Sequence, residues 1–263
     1  MDIQELRNDR KFHEWHEYEP MDVQYVRYIK SEPSILAAGH KINDVYHTFC
    51  DARGSLLYAN YSNYGELCAD NDISRLYIKN KFLKDALIEY AICLDLSWQV
   101  IWAFIQPSSF KYLIQQNYEE MEKICTGESV HIQLNCAIAQ KSKQAERIKE
   151  LLTRFENEPE VIEIRKIYNS IKHRGIMYFQ GFCTEDISKF LFDKNVEMPL
   201  KREVYDSVSI QKLLLSYHEK FEKYFIKLID MIMPSDYKIN KVGVVDYMIV
   251  LSEIKKIQEE CDK

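Results

Sequence analysis

Residues 72–106 read DISRLYIKNKFLKDALIEYAICLDLSWQVIWAFIQ. This stretch decides the fold class. Asp72 or Ser74 supplies a helix N-cap, and Pro107 stops the helix after Gln106. Projected at about 100° per residue, Lys81, Lys84, Asp85, Glu89, Asp95, Gln99 and Gln106 share one narrow stripe. Nearly all the remaining circumference is apolar: Phe82, Leu83, Leu87, Ile88, Leu94, Trp98, Ile101, Trp102, Ile105. A helix apolar over most of its circumference belongs in the centre of a core. Asp95 and Lys111 bound only fifteen uncharged residues, fewer than the about 18 a membrane span needs. The reading is a buried helix with no membrane anchor.

Periodic segments continue on either side. Ser108 and Ser109 reopen a helix toward Gly127, and another is expected over Val130 to Phe155. Pro159 to Arg174 starts with a proline suited to the first turn and ends in Lys172-His173-Arg174 before Gly175, a natural left-handed stop. A short helix is expected at Thr184 to Phe192, inside an otherwise irregular stretch from Ile176 to about Val204. Two helices close the chain, about Val208 to Met233 and Val244 to Glu260. In the first of them Leu214, Tyr217, Phe221, Tyr224, Phe225, Leu228 and Ile232 form a core stripe. Toward the N-terminus the signal weakens. Val23 to Ile29 reads as a short strand or an irregular strap, Pro33 to Cys50 as a helix, and Asn60 to Gly65 as a loop. The expected architecture is all-α. Residues 1–76 form an irregular N-terminal extension of mixed helix and loop, and residues 77–263 form an up-and-down helical bundle.

Composition agrees with this and narrows the function classes. The 263 residues include only 7 Gly and 6 Pro, few for a fold of many short strands. Seven cysteines, an odd number without a CxxC pair, read as free thiols in a reducing cytoplasm. The polar start Met1-Asp2-Ile3-Gln4-Glu5 is unlike a secretory signal. A net charge of −6 argues against non-specific nucleic-acid coating, because phosphate neutralisation supplies most of that affinity. Any nucleic-acid contact must then be a local basic patch, and DNA is not expected as a partner.

One string carries such a patch: Arg165-Lys166-Ile167-Tyr168-Asn169-Ser170-Ile171-Lys172-His173-Arg174-Gly175. On a helix Arg165, Asn169 and His173 are successive i, i+4 neighbours, and Lys172 lies at i+3 from Asn169. These four fall within an arc of roughly 100°, while Val161, Ile164, Ile167, Tyr168 and Ile171 take the opposite side. An imidazole that moves protons, an amide that orients it and cations that stabilise phosphate charge suit phosphodiester chemistry. If the RNA's own 2′-hydroxyl is the nucleophile, no metal or cofactor is needed. A solvated helix C-terminus shows the same polar stripe without any function.

The ending Asn169-x-x-Lys172-His173-Arg174-Gly175, after a long apolar helix with a polar seam from Asp85 to Gln99, resembles the HEPN superfamily. The resemblance covers about residues 77–235. It implies a helical bundle, often a homodimer with two motifs facing each other, in a defence or stress context. Many members are metal-independent ribonucleases whose signature is an Arg, four to six residues, then a His. The resemblance casts His173 and Asn169 as catalytic, and Lys172, Arg165 and Arg174 as phosphate-binding. The family's Arg falls at Tyr168. This leaves two alternatives open: an enzyme in which Arg165 or Lys172 replaces that cation, or an inactive relative that binds RNA or nucleotide. A non-enzymatic helical interaction module is the competing class.

Other clusters carry less. His13-Glu14-Trp15-His16 is not in the zinc-protease order. Asp85, Glu89 and Asp95 lack the Glu-x-x-His partners of a di-metal bundle. Neither a phosphate-binding glycine loop nor a GxSxG elbow occurs.

Overall fold

The computed structural model describes residues 1–105, 113, 115–182, 203–239 and 243–261. The fold is all-α, and among the described residues the one sheet is a pair of two-residue strands. Its elements are α1 (Ile3–Asn8), a 3-10 segment (Lys11–Tyr18), α2 (Asp22–Tyr28), α3 (Pro33–Tyr58), α4 (Asp72–Ile105), α5 (Gln115–Ile124), α6 (Gly127–Ala139), α7 (Lys143–Glu156) and α8 (Pro159–Arg174). After these come β1 (Tyr178–Phe179), β2 (Val204–Tyr205), α9 (Ser207–Ile232) and α10 (Val244–Cys261).

The decisive helix forms where its pattern places it. Its cap is Asn71 rather than Asp72 or Ser74: Asn71 Oδ1 accepts from the Ser74 amide at 2.8 Å. Leu83, Ala86, Leu87, Tyr90, Ala91, Val100 and Ile101 are fully buried. By length and composition α4 is apolar enough to cross a membrane, and half of its most apolar window is buried inside the protein.

Several expectations change in detail. Residues 23–29 are neither strand nor strap but nearly the whole of α2 and its C-cap Ile29, held by Asp236, which accepts from Arg27 and from the Tyr28 hydroxyl. Val130 to Phe155 is two helices. α6 ends at Gln140, Lys141 turns the chain with φ 67°, and Ser142 caps α7 through the Ala145 amide. Its charged second half, a strongly amphipathic run, is α7. The helix expected from Ser108 lies partly outside the described residues, and the one at Thr184 to Phe192 lies wholly outside them.

The chain divides into two compact units. The first comprises Met1–Asp9, Thr48–Ile92 and Phe155–Phe221. Its core is aromatic: Phe221 stacks on Phe49 at 5.5 Å and on Tyr217 at 5.9 Å, and meets Phe155 edge-on at 5.8 Å. The Tyr217 hydroxyl donates to the Tyr90 carbonyl at 3.0 Å, so this buried phenol is satisfied. α1, expected as irregular, docks here through fully buried Leu6, with Arg53 donating to the carbonyls of Leu6 and Arg7.

The second unit comprises Arg10–His47, Cys93–Arg154 and Glu222–Lys263. Trp15 packs edge-on against Phe225 at 4.7 Å, over a core that includes Leu36, Ile42, Val45, Val130, Leu134, Ile148 and Leu228. Lys41, only 6% exposed, is held by Asp44 at 2.8 Å and by Glu122. Burial works against its charge, but the two carboxylates outweigh that and raise its pKa. Cys125 is pushed up to about 12, by burial first and then by the charge of Asp95. Among the described residues Cys50, Cys68, Cys93, Cys125 and Cys136 form no disulfide.

Candidate functional site on helix α8

α8 belongs to the first unit and is fixed at both ends. Pro159 occupies its first turn. Lys220 on α9 reaches both Glu158 (2.8 Å) and Glu160, and Ser216 donates to Glu160 at 2.8 Å. Burial raises the Glu160 carboxyl, but the hydrogen bonds from Lys220 and Ser216 prevail and hold it below the usual carboxylate range. At the other end Gly175 adopts φ +85°, and its amide donates to the Ile171 carbonyl at 2.7 Å. Val161, Ile164 and Ile167 are fully buried. The helix therefore cannot roll, and its polar seam has a defined direction.

All five residues singled out from the sequence lie on this helix. Asn169, Lys172, His173 and Arg174 are exposed, and Arg165 is half-buried. Lys172, His173 and Arg174 sit in the last turn, where cations face the negative end of the helix dipole. The Arg165 guanidinium lies over the ring of Tyr168, 5.9 Å from its centre. The tyrosine that stands where the family's arginine is expected thus carries a neighbouring arginine on its face.

Two further residues complete the surroundings. Lys166 follows Arg165 and is three residues before Asn169 and seven before His173, so it borders the same exposed face. It pairs with Glu163 at 3.4 Å and with Glu203 at 3.1 Å. The hydrogen bond to Glu203 raises the Lys166 pKa first, and the charges of both carboxylates add to it. Reciprocally, Lys166 lowers the Glu203 carboxyl, with a smaller contribution from the charge of Arg174. Burial and then Glu203 push the Tyr205 phenol up. Lys166 was readable from helical spacing alone. Glu203 was not, because it is brought in by β2 across 37 residues of chain.

Away from α8, the core of the first unit holds buried polar groups at Asp9, Asn80, Ser207 and His218. His218, fully buried, shares a 2.8 Å hydrogen bond between Nδ1 and the Tyr90 hydroxyl. Its ring stacks on Phe49 at 4.4 Å, and its Nε2 lies 3.8 Å from Asp9. No role was read for this histidine from the sequence, although its spacing, four after Leu214 and three before Phe221, places it on the core stripe of its helix.

The seam of α4 separates by position. Asp85 pairs with Lys81 at 2.5 Å on the surface. Glu89 is half-buried, and its carboxyl is raised above the usual range, by burial first and then by Asp51 and Asp85. On α3, His40 meets Glu19 at 3.1 Å, and His47 lies edge-on to Tyr46.

No protein-family model, no curated protein and no solved structure matches this chain. The seam's own geometry therefore carries the functional reading.

Proposed function

We propose that this chain is a HEPN-like helical protein whose α8 seam binds RNA through its phosphates. The supporting observation is the last turn of α8. Lys172 and His173 are exposed, and among the described residues neither has a carboxylate in contact. That differs from Lys81, Lys166, Lys220 and Lys238, each of which is held by at least one acidic side chain. A cation without a local counter-anion, on a rigid helix end, is the group an incoming phosphate can use most cheaply. Asn169, one turn back, offers an amide to the same ligand.

The catalytically inactive form of the reading fits best. Tyr168 occupies the position of the family's arginine, and Arg165 is drawn onto its ring. Binding needs only the cations, whereas cleavage also needs His173 positioned against a 2′-hydroxyl. The protein acts in the cytoplasm as a homodimer in which two α8 seams face one RNA. It needs no metal or cofactor.

The test is binding of a labelled single-stranded RNA by fluorescence anisotropy at rising salt. Two to three neutralised phosphates give a slope of log affinity against log salt of about −1.4 to −2.1. A slope near zero would overturn the reading.

One observation favours the non-enzymatic interaction module instead. α10 exposes Val244 (79%), Val245 (71%) and Met248 (62%), an apolar run on one helix. Self-association that persists without RNA and is lost on Met248→Glu would favour that module.

A further inference from the structure

Glu203 stands immediately before β2 and far from α8 in sequence, yet its carboxylate lies on the seam. The backbone explains how. After the left-handed turn at Gly175, Met177 and Phe179 bury their side chains and fix the direction of β1. β2 then pairs parallel to β1, with Tyr178 opposite Val204 and Phe179 opposite Tyr205, and the Gln180 amide donates to the Tyr205 carbonyl at 3.0 Å. A carboxylate one residue before a strand paired in this way is held in place rather than left to a mobile loop.

Its partner is the cation next to the exposed motif. Lys166 Nζ donates to Glu203 at 3.1 Å. Lys166 and His173 are seven residues apart, about 10 Å along the axis and nearly in line. A phosphate chain running along the exposed face of α8 from His173 therefore reaches Lys166 next, and finds a carboxylate already there.

We propose that Glu203 is a built-in counter-anion of the α8 seam, which competes with RNA phosphate for Lys166 and sets the seam's affinity low. This rests on the RNA reading of α8 and adds its regulation. The negative charge of the chain as a whole makes non-specific binding weak. Glu203 weakens binding at the cationic end of α8, so a ligand must displace it to engage fully. Nothing covalent is involved. The exchange is one anion for another at a half-exposed pair, with Lys166 56% and Glu203 47% exposed.

Glu203→Gln tests this, because it keeps the shape and removes the charge. Full-length wild type, Glu203→Gln, Glu203→Gln with Lys166→Ala, and Lys172→Ala with Arg174→Ala are titrated against the same labelled single-stranded RNA across a salt series. Circular dichroism confirms that each is folded. A half-exposed ion pair is worth little, so Glu203→Gln is expected to bind about two- to five-fold tighter. One more phosphate contact makes its salt slope steeper by about 0.7. Adding Lys166→Ala should cancel the gain. Unchanged or weaker binding by Glu203→Gln, or a gain that survives Lys166→Ala, overturns the proposal. If Glu203→Gln changes nothing while the Lys172 and Arg174 variant loses affinity, the counter-anion falls and the RNA reading stands. If none of the four proteins binds RNA, both fall.

Discussion

Replacing Gly39 with alanine sets two opposing effects against each other at a buried position of α3. In an open helix, alanine for glycine stabilises by about 0.5–1 kcal/mol, because the unfolded chain has less freedom to lose. Here a Cβ would sit 2.5 Å from the Tyr18 carbonyl oxygen and 2.5 Å from the Tyr237 hydroxyl, with the Tyr237 ring carbon at 3.2 Å. Such distances require movement, and one of the atoms is backbone. The Tyr237 hydroxyl also donates to that same Tyr18 carbonyl at 3.0 Å, so moving it apart strands a buried donor and an acceptor. Overpacking costs about 1–3 kcal/mol and an unsatisfied buried group about 1–3 kcal/mol. The clash outweighs the entropy, and a net loss of about 2–4 kcal/mol is expected. Urea unfolding followed by far-ultraviolet circular dichroism measures it. Tyr237→Phe removes one of the clashing atoms and serves as the second arm of a double-mutant cycle. The double variant should be more stable than the two single losses imply, by about 0.5–3 kcal/mol. A Gly39→Ala protein as stable as wild type would refute the close approach on which the packing of α3 against Tyr237 rests.

Other outcomes follow from the same structure. Gly175→Ala places a side chain at φ +85° with nothing near its Cβ, so the loss is backbone strain alone, about 1–2 kcal/mol by urea midpoint. Tyr90→Phe leaves the buried His218 Nδ1 without its 2.8 Å partner, and a loss of about 1–3 kcal/mol is expected from the same measurement. Glu89 has a folded-state pKa above its unfolded value. Its contribution is therefore full below the ordinary carboxylate range and is lost as pH rises through the raised value. Against Glu89→Gln, wild-type stability should decline across that window, and parallel pH profiles would contradict it.

The sequence disclosed the fold class through α4, because a long helix apolar nearly all round has few other places to go. It disclosed α8 even more closely: Pro159, Lys172-His173-Arg174 and Gly175 are local signals, and local signals fix helix ends. It missed what depends on distant partners. α2 looked like a strand because Val23, Tyr25 and Tyr28 are β-formers, yet Asp236, more than 200 residues away, ties it as a helix. The break at Lys141 lacked a glycine or proline to announce it. In the candidate site, the side chains on α8 were readable from a 3.6-residue period. Lys220 and Glu203, which orient and neutralise that helix, come from other elements and leave no mark in the motif itself.

The most direct test of the central claim compares wild type with a Lys172→Ala, His173→Ala, Arg174→Ala variant in RNA binding at low salt, with EDTA present and RNA integrity followed in parallel. These side chains are exposed, so the circular dichroism should be unchanged and the urea midpoint should fall only modestly, by the helix-dipole stabilisation of about 0.3–1 kcal/mol per lost cation. Losing two to three phosphate contacts should weaken binding at least about ten-fold and flatten the salt slope toward zero. The RNA should stay intact with both proteins. Equal affinity of variant and wild type, or no measurable binding by wild type, would contradict the account, and cleavage abolished by His173→Ala alone would replace the binding-only reading with a catalytic one.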